Sequence, residues 1–432
     1  KGDATNPLVR CRLVVQETKY RTTIDAQDIG ATFAATPPFE SLRLVLSECM
    51  MGTDAWSVER VIGFLDISRA HPHADLHRKV FITVPSDIGG SRVKRLLKNL
   101  YGLKDAPQNF ELKVRELMLA LGATQGLFSP CHYLVGKLWV MVHGDDFFCL
   151  GTRQEVKDFA AGLGKDLIVK TRGILGPRKD LGDIQEIICL NRILRWIPAT
   201  SSNMDKIEIE ADARHANLIL EHLGLKKDSK GVTVPSTKVN MGTGELLNPE
   251  QHSHFRSISM RAAFLAEDRA DLKFPTKELA RCMSAPTTVA WDQLRKLGRY
   301  LVQAPRVVQI FARQKRPSVM TIYSDSDHAG CLRTRRSTSA SVVMLGTHCL
   351  KVSSTTQVPI ALSSGESEWY ALVKSATIGL GLRSSARDFG QEYELDLLTD
   401  SSAANGIGQR RGAGGVRHIE TRSLWLQQQV TD

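Results

Sequence analysis

The sequence is poor in several things, and each shortage excludes a class. No apolar run approaches the roughly 18 residues that a membrane-crossing helix needs. Its beginning, Lys1-Gly2-Asp3, shows neither an initiator Met nor the apolar stretch of a signal peptide, so it is expected to be an internal piece of a longer polypeptide. None of the eight cysteines (Cys11, Cys49, Cys131, Cys149, Cys189, Cys282, Cys331 and Cys349) forms a C-x-x-C pair. Zinc ribbons and thioredoxin-type motifs are thereby excluded, and reduced thiols in an intracellular protein are expected. There is no P-loop and no convincing G-x-G-x-x-G, so any nucleotide chemistry uses other means. Acid is in deficit: 46 Asp and Glu stand against 57 Lys and Arg, a net charge of +11 over 432 residues. That balance favours a polyanionic partner, and it says nothing about fold.

Apolar residues make up 42% and charged residues 24%, ordinary for a chain able to bury a core. At about 150 residues per domain, two or three domains are expected. Hydrophobic periodicity predicts strands at 8–16, 61–67 and 80–84, a helix over 41–51, and an amphipathic helix over 108–121 with Phe110, Val114, Leu117, Met118 and Leu121 on one face. Strands at 138–142 and 147–150 flank the short link His143-Gly144-Asp145-Asp146, a hairpin signal. Phe147 and Phe148 read as core strand residues. Residues 200–241 read as polar and turn-rich, 254–283 and 291–303 as helical. Pro305, Pro317 and the basic run 312–316 suggest a boundary. Beyond it, strands are expected at 319–323, 340–345, 358–362 and 395–399, with a helix over 366–382. Strands mixed with helices indicate α+β and α/β domains.

Two groups of acids carry the chemistry. Asp66, Asp145 and Asp146 each stand where an apolar strand meets a turn, held by a sheet yet within reach of solvent. Asp325 and Asp400 follow apolar strands, and Glu366 and Glu368 open a helix. Asp325 and Asp327 share a strand face, so either could be a ligand. Ser363 and Glu366 have capping-box spacing, and Glu368 lies about 200° further round the helix, which makes Glu368 the better ligand. Carboxylates are natural ligands of magnesium, and two ions about 4 Å apart can activate a hydroxyl and stabilise a leaving oxygen. Taken alone, each acid could as well be a solvated charge, and Gly-Asp-Asp good turn chemistry. His71, His73 and His77 read as a solvated loop, since no cysteine or acid completes a zinc spacing.

These acids sit within a collinear set of motifs: CRLVVQE (11–17), FESLRLVL (39–46), FLDISRA (64–70), LYGLKDAPQNF (100–110), VHGDDFFCLG (142–151), DRADLKFPTKELARCMSAPT (268–287), YSDSDHAGCLRTRRSTSA (323–340), ALSSGESEWYAL (361–372), LLTDSSAAN (397–405) and RHIETR (417–422). In order and spacing the chain resembles the reverse transcriptase and ribonuclease H region of copia-type LTR retrotransposon Pol polyproteins. The resemblance implies an RNA-directed DNA polymerase with ribonuclease H activity on RNA–DNA hybrids. The implied fold is fingers and palm with an antiparallel catalytic sheet over 1–235, a helical thumb or connection over 236–317, and a ribonuclease H-like α/β domain over 318–432.

By the same resemblance Asp66, Asp145 and Asp146 hold the polymerase metals. Asp325, Glu368, Asp400 and Glu420 hold those of the nuclease, with His418 assisting. The implied cofactor is Mg2+ or Mn2+, two ions per site. Arg10 and Arg12 face triphosphate or template. Lys94, Arg95, Lys98 and Lys104, with Arg333, Arg335 and Arg336, contact phosphates. Implied partners are an RNA template, a DNA primer, RNA–DNA hybrid, dNTPs, and the integrase and protease of the polyprotein, with no membrane. The implied location is cytoplasmic particles, with the nucleus as a second compartment. Four positions depart from the family: His143 for Tyr, His71 with Pro72 for an aromatic gate, Asp105 for Gln, and Glu420 for Asp. They motivate the alternative of a degenerate copy that binds nucleic acid without catalysis.

Overall fold

The computed structural model describes residues 13–17, 32–52, 60–84 and 93–431. It divides into two compact units: residues 1–42, 58–176 and 387–391 in one, and 43–57, 177–386 and 392–432 in the other. The longest stretches of the two units, 58–176 and 177–386, meet at Gly176/Pro177. Strand pairing spans the position near 235, as given below.

The first unit is built on a six-stranded antiparallel sheet. In chain order its elements begin with α1 (Glu40–Cys49), whose later residues fall in the second unit, β1 (Val61–Ile67) and the short helix α2 (Ala70–His73). Then follow β2 (Phe81–Thr83), β3 (Val93–Arg95), α3 (Ala106–Ala120), β4 (Ala123–Gln125), β5 (His132–Val135), β6 (Leu138–His143), β7 (Asp146–Gly151), α4 (Arg153–Leu163) and β8 (Val169–Leu175). The sheet order is β4-β5-β6-β7-β1-β8, and among the described residues β2 pairs with β3 in a separate two-stranded ribbon. β1 lies between β7 and β8 and is buried along nearly its whole length, which its mainly apolar run VIGFLDI permits. Helix α3 turns Phe110, Val114 and Met118 into the core, with Leu117 and Leu121 partly covered. Phe147 and Phe148 are core residues. Helix α4 opens on a reciprocal capping box between Thr152 and Glu155. It approaches β1 so closely that a Cβ on Gly63 would stand 2.3 Å from Val156 Cγ1. Among the described residues, 13–16 of the expected strand 8–16 join no ladder; Val15 N–H instead donates to Tyr101 O.

The second unit holds two four-stranded sheets. One, ordered β12-β11-β10-β9, comprises β9 (Glu186–Cys189), β10 (Arg192–Ile197), β11 (Lys206–Ala211) and β12 (Gln309–Ala312). Helices α5 (Ala213–His222), α6 (Pro249–Leu265), α7 (Lys273–Ala280) and α8 (Thr288–Gln303) form a shared apolar core. The stretch read as polar and turn-rich thus contains β11 and α5. The supposed boundary at 305–317 contains β12, because Ile207 faces Phe311 across β11 and β12. Alternation in KIEIEA is short and charged, so pairing partners far along the chain decide its state.

The other sheet, ordered β15-β14-β13-β16, has β13 (Val319–Asp327), β14 (Thr338–Leu345) and β15 (His348–Thr356) antiparallel, and β16 (Glu394–Leu398) parallel to β13. The long helix α9 (Ser364–Arg387) makes the crossover between β15 and β16, followed by α10 (Ser402–Gly408) and α11 (Trp425–Thr431). Residues 358–362 are not a strand; Val358, Ile360 and Leu362 stand exposed, and β15 precedes them. Close helix–sheet packing follows from small residues: a Cβ on Gly379 would meet Ile322 Cδ1 at 2.0 Å. Beneath the helix Ser375 Oγ lies 2.6 Å from Ser341 Oγ and donates to Ser324 Oγ at 2.9 Å.

Candidate active sites

The first acidic group is assembled by the hairpin β6–β7 and its neighbour β1. Asp66 and Asp146 are direct partners in the β1–β7 register, and His143 faces Asp146 across the turn. Gly144 turns the chain with a φ of 64°, a conformation a residue with a Cβ resists. Asp145 is exposed in that turn, and its carbonyl accepts from Ile67 N–H at 2.9 Å, tying the turn to the end of β1. Burial pushes the Asp146 carboxyl above its ordinary range; Arg172 opposes this, and Asp145 and Asp66 add to it. Arg172 Nη1 stands 3.4 Å from Asp146 Oδ1. Sequence spacing gives no hint of Arg172, which arrives from β8. These three acids share a charge field, but they are not a converged ligand set.

Beside the turn lies a cleft of about 470 Å3 lined by His71, Tyr101, Phe110, Tyr133, His143 and Asp145, among others. The His71 ring lies 4.8 Å from that of Tyr101. His71 and His73 are half-buried on α2 and not in a solvated loop, and His73 Nε2 lies 3.1 Å from Ser68 O. Asp105 is engaged by Arg78. Arg78 donates to both its oxygens at 2.9 and 2.8 Å and to both of Glu17 at 2.9 and 2.7 Å. Burial raises the Asp105 carboxyl, yet Arg78, a backbone hydrogen bond and Asn109 together leave it below the ordinary range. The family departure at 105 is thus neutralised locally.

The second acidic group converges. Asp325, Glu368 and Asp400 each bring one carboxylate oxygen within 4.8 Å of the others, and among the described residues no other set of three does so. The parallel register explains it: Tyr323 faces Leu398, so Asp325 and Asp400 follow two residues later on the same face. Glu368 reaches them from the start of α9. Its Oε1 accepts from Ser326 N–H at 3.2 Å and from Ser326 Oγ at 2.8 Å. Its Oε2 is buried and accepts no hydrogen bond. Burial raises the Glu368 carboxyl above its ordinary range; the Ser326 bonds offset part, and Asp325 and Asp400 add to the rise. An orphaned buried oxygen among three converging carboxylates fits a hard divalent cation, which would satisfy all three at once.

Asp327 does not join the group; Lys238 Nζ lies 3.5 Å from it. Glu366 has the capping role. Ser363 Oγ accepts from Glu366 N–H at 3.2 Å, and the Glu366 carboxylate accepts from Leu362 N–H at 2.8 Å. His418 Nε2 lies 2.8 Å from Glu366 Oε2, so the capping acid also orients the histidine. Glu420 is exposed and paired with Arg422, and it is not among the three converging acids. It begins the short 3-10 turn at 421–423 with extended backbone, a position at the surface.

Of the basic residues, Arg10 and Arg12 lie outside the described residues. Lys94 and Arg95 are exposed on β3, and Arg333, Arg335 and Arg336 are exposed after β13. Lys98 is engaged with Asp75 at 2.5 Å. Lys104 is half-buried, its backbone N–H donating to Glu17 at 2.8 Å. Ser326, which orients Glu368, carries no signal in the sequence because its role comes from strand-to-helix packing. No helix among the described residues is long and apolar enough to cross a membrane.

Comparison with known proteins follows the same lines. Residues 2–191 match the family described as reverse transcriptase (RNA-dependent DNA polymerase). The retrovirus-related Pol polyprotein from transposon TNT 1-94 of Nicotiana tabacum is 23% identical over 453 residues, covering 100% of this chain and 32% of that relative. Those from transposons RE2 and RE1 of Arabidopsis thaliana are 24% and 25% identical, each covering 85% of this chain and 24% of the relative. The chain therefore spans between about a quarter and a third of the length of these relatives. The chain is a homologue of the Pol polyproteins of copia-type transposons, with its reverse transcriptase family match in residues 2–191.

Proposed function

We propose that this chain is an RNA-directed DNA polymerase that also cleaves the RNA strand of RNA–DNA hybrids. The observation that carries the polymerase reading is the β1–β7 register, which pairs Asp66 with Asp146 next to Asp145, a lining residue of the cleft within the matched region. The nuclease reading rests on the converged Asp325, Glu368 and Asp400 with the orphaned Glu368 oxygen. Asp66, Asp145 and Asp146 would hold Mg2+ or Mn2+ in one centre, and Asp325, Glu368 and Asp400 in the other. Such ions lower the pKa of an attacking hydroxyl or water and neutralise the leaving oxygen.

The chain's own residues do the rest. The sheet holds Asp66 and Asp146 rigidly, and Ser326 aims Glu368. Exposed Lys94, Arg95, Arg333, Arg335 and Arg336 contact phosphates without reading sequence. The substrates are an RNA template, a DNA primer, dNTPs and the resulting hybrid. Integrase and protease are the other parts of such a polyprotein, and the location is cytoplasmic particles with access to the nucleus.

A second reading, binding without turnover, draws on Arg172 against Asp146 and on the lack of convergence at the first centre. Purified chain on a primed RNA template separates the two. Metal-dependent extension that Asp145→Asn abolishes is expected, with hybrid cleavage abolished by Asp400→Asn and extension spared. Salt-sensitive hybrid binding with no extension in Mg2+ or Mn2+ would establish the second reading.

A further inference from the structure

Residues Arg387–Gln391 begin at the last residue of α9 but belong to the compact unit that carries Asp66, Asp145 and Asp146. Asp388 is the anchor, its side chain 3% exposed. It accepts from the backbone N–H groups of Phe128 and Ser129, both at 3.0 Å, and its Oδ2 lies 2.9 Å from His132 Nδ1. His132 Nε2 in turn lies 2.8 Å from Ser41 Oγ. The connectivity is that of a Ser-His-Asp triad, but Ser41 is 1% exposed and His132 not at all, so no substrate reaches the hydroxyl. The chain of bonds is therefore a lock. Its fit is close: a Cβ on Gly126 would stand 2.5 Å from Asp388 Oδ2.

Phe389 is the second element. Its ring stacks on Trp139 with centroids 4.5 Å apart and planes 7° from parallel, and lies 4.6 Å from the His132 ring. Trp139 is on β6, four residues before His143, and His132 faces Met141 across β5 and β6. Both contacts thus bear on the strands that lead to the Asp145–Asp146 turn.

We propose that Arg387–Gln391 is a positioning segment for the polymerase centre, a plug that braces β5 and β6 and so holds the aspartate turn. Residues 2–191 alone then lack part of their own core, and the polymerase unit is assembled from two pieces of sequence about 200 residues apart. The activity consequence rests on the polymerase reading; the brace itself does not.

The test uses the full chain with Phe389→Ala, Phe389→Leu and Asp388→Asn. Hydrogen exchange at the amides of residues 126–142 is expected to quicken about tenfold in Phe389→Ala and less in the other two, while that of residues 319–345 is unchanged. In primer extension kcat falls with the KM for dNTP held, and Phe389→Leu recovers part of it. Parental exchange at 126–142 in Phe389→Ala would overturn the proposal; should that variant fail to fold, parental exchange in Asp388→Asn would do so. Quickened exchange in a chain whose parent extends no primer would leave the brace standing and sink the polymerase reading instead.

Discussion

Replacing Glu368 by Gln should do two opposite things, and both follow from the geometry of its site. The carboxylate of Glu368 has an oxygen within 4.8 Å of oxygens of Asp325 and Asp400, both exposed. At that distance a like-charge pair in water-like surroundings costs about 0.9 kcal/mol, so two pairs cost about 2 kcal/mol before salt screening. Gln removes that repulsion and keeps an oxygen for the two Ser326 donors. Without metal the variant should be more stable by about 1–2 kcal/mol, a rise of about 2–4 °C in Tm per kcal/mol for a unit of this size.

The pH dependence has a definite sign. Burial lifts the folded Glu368 carboxyl above its unfolded value, and Asp325 and Asp400 lift it further against the Ser326 bonds. In chelator the parent therefore loses stability as pH rises through that raised range, and Glu368→Gln lacks this slope. Added Mg2+ or Mn2+ should reverse the order. It stabilises the parent by about 2.7 kcal/mol at a hundred times Kd and the variant much less, while hybrid cleavage is lost in the variant. The assay is thermal unfolding in chelator and in metal, beside a hybrid-cleavage assay. A variant no more stable than the parent in chelator, or a parent indifferent to both ions, would refute the reasoning.

Other expectations follow from single contacts. Glu420→Gln should leave hybrid cleavage within about twofold of the parent, because Glu420 faces Arg422 and not the converged acids; loss as complete as in Asp400→Asn would restore it as a ligand. Asp105→Asn should cost about 1–2 kcal/mol in denaturant unfolding, the half-exposure of Arg78 keeping the figure down. Because Asp105 and Glu17 both titrate below their ordinary ranges, their contribution is present above the unfolded carboxylate range and fades as pH falls through the depressed values. A flat acid limb in the parent would contradict that. Gly63→Ala should cost about 1–3 kcal/mol by driving a methyl into Val156, and Val156→Ala should recover part of it in the double variant.

What the sequence by itself determined is local. The apolar runs VIGFLDI and LWVMVH, the Gly-Asp turn and the period of α3 encode their own states, because strand burial, turn sterics and helix amphipathicity act within a few residues. The same holds for the division of labour between Glu366 and Glu368, which a rotation of about 200° around one helix already separates. The tertiary structure alone decided which distant residues meet. KIEIEA becomes a strand because β10 and β12 flank it. Ser326 aims Glu368 and Arg172 reaches Asp146 because strands and a helix bring them there. Glu420 falls outside the converged acids for the same kind of reason. Residues 387–391 join the first compact unit through Asp388 and Phe389. Long-range contacts of this sort depend on packing and on burying polar groups with partners, and neither leaves a periodic mark in the residues that make them.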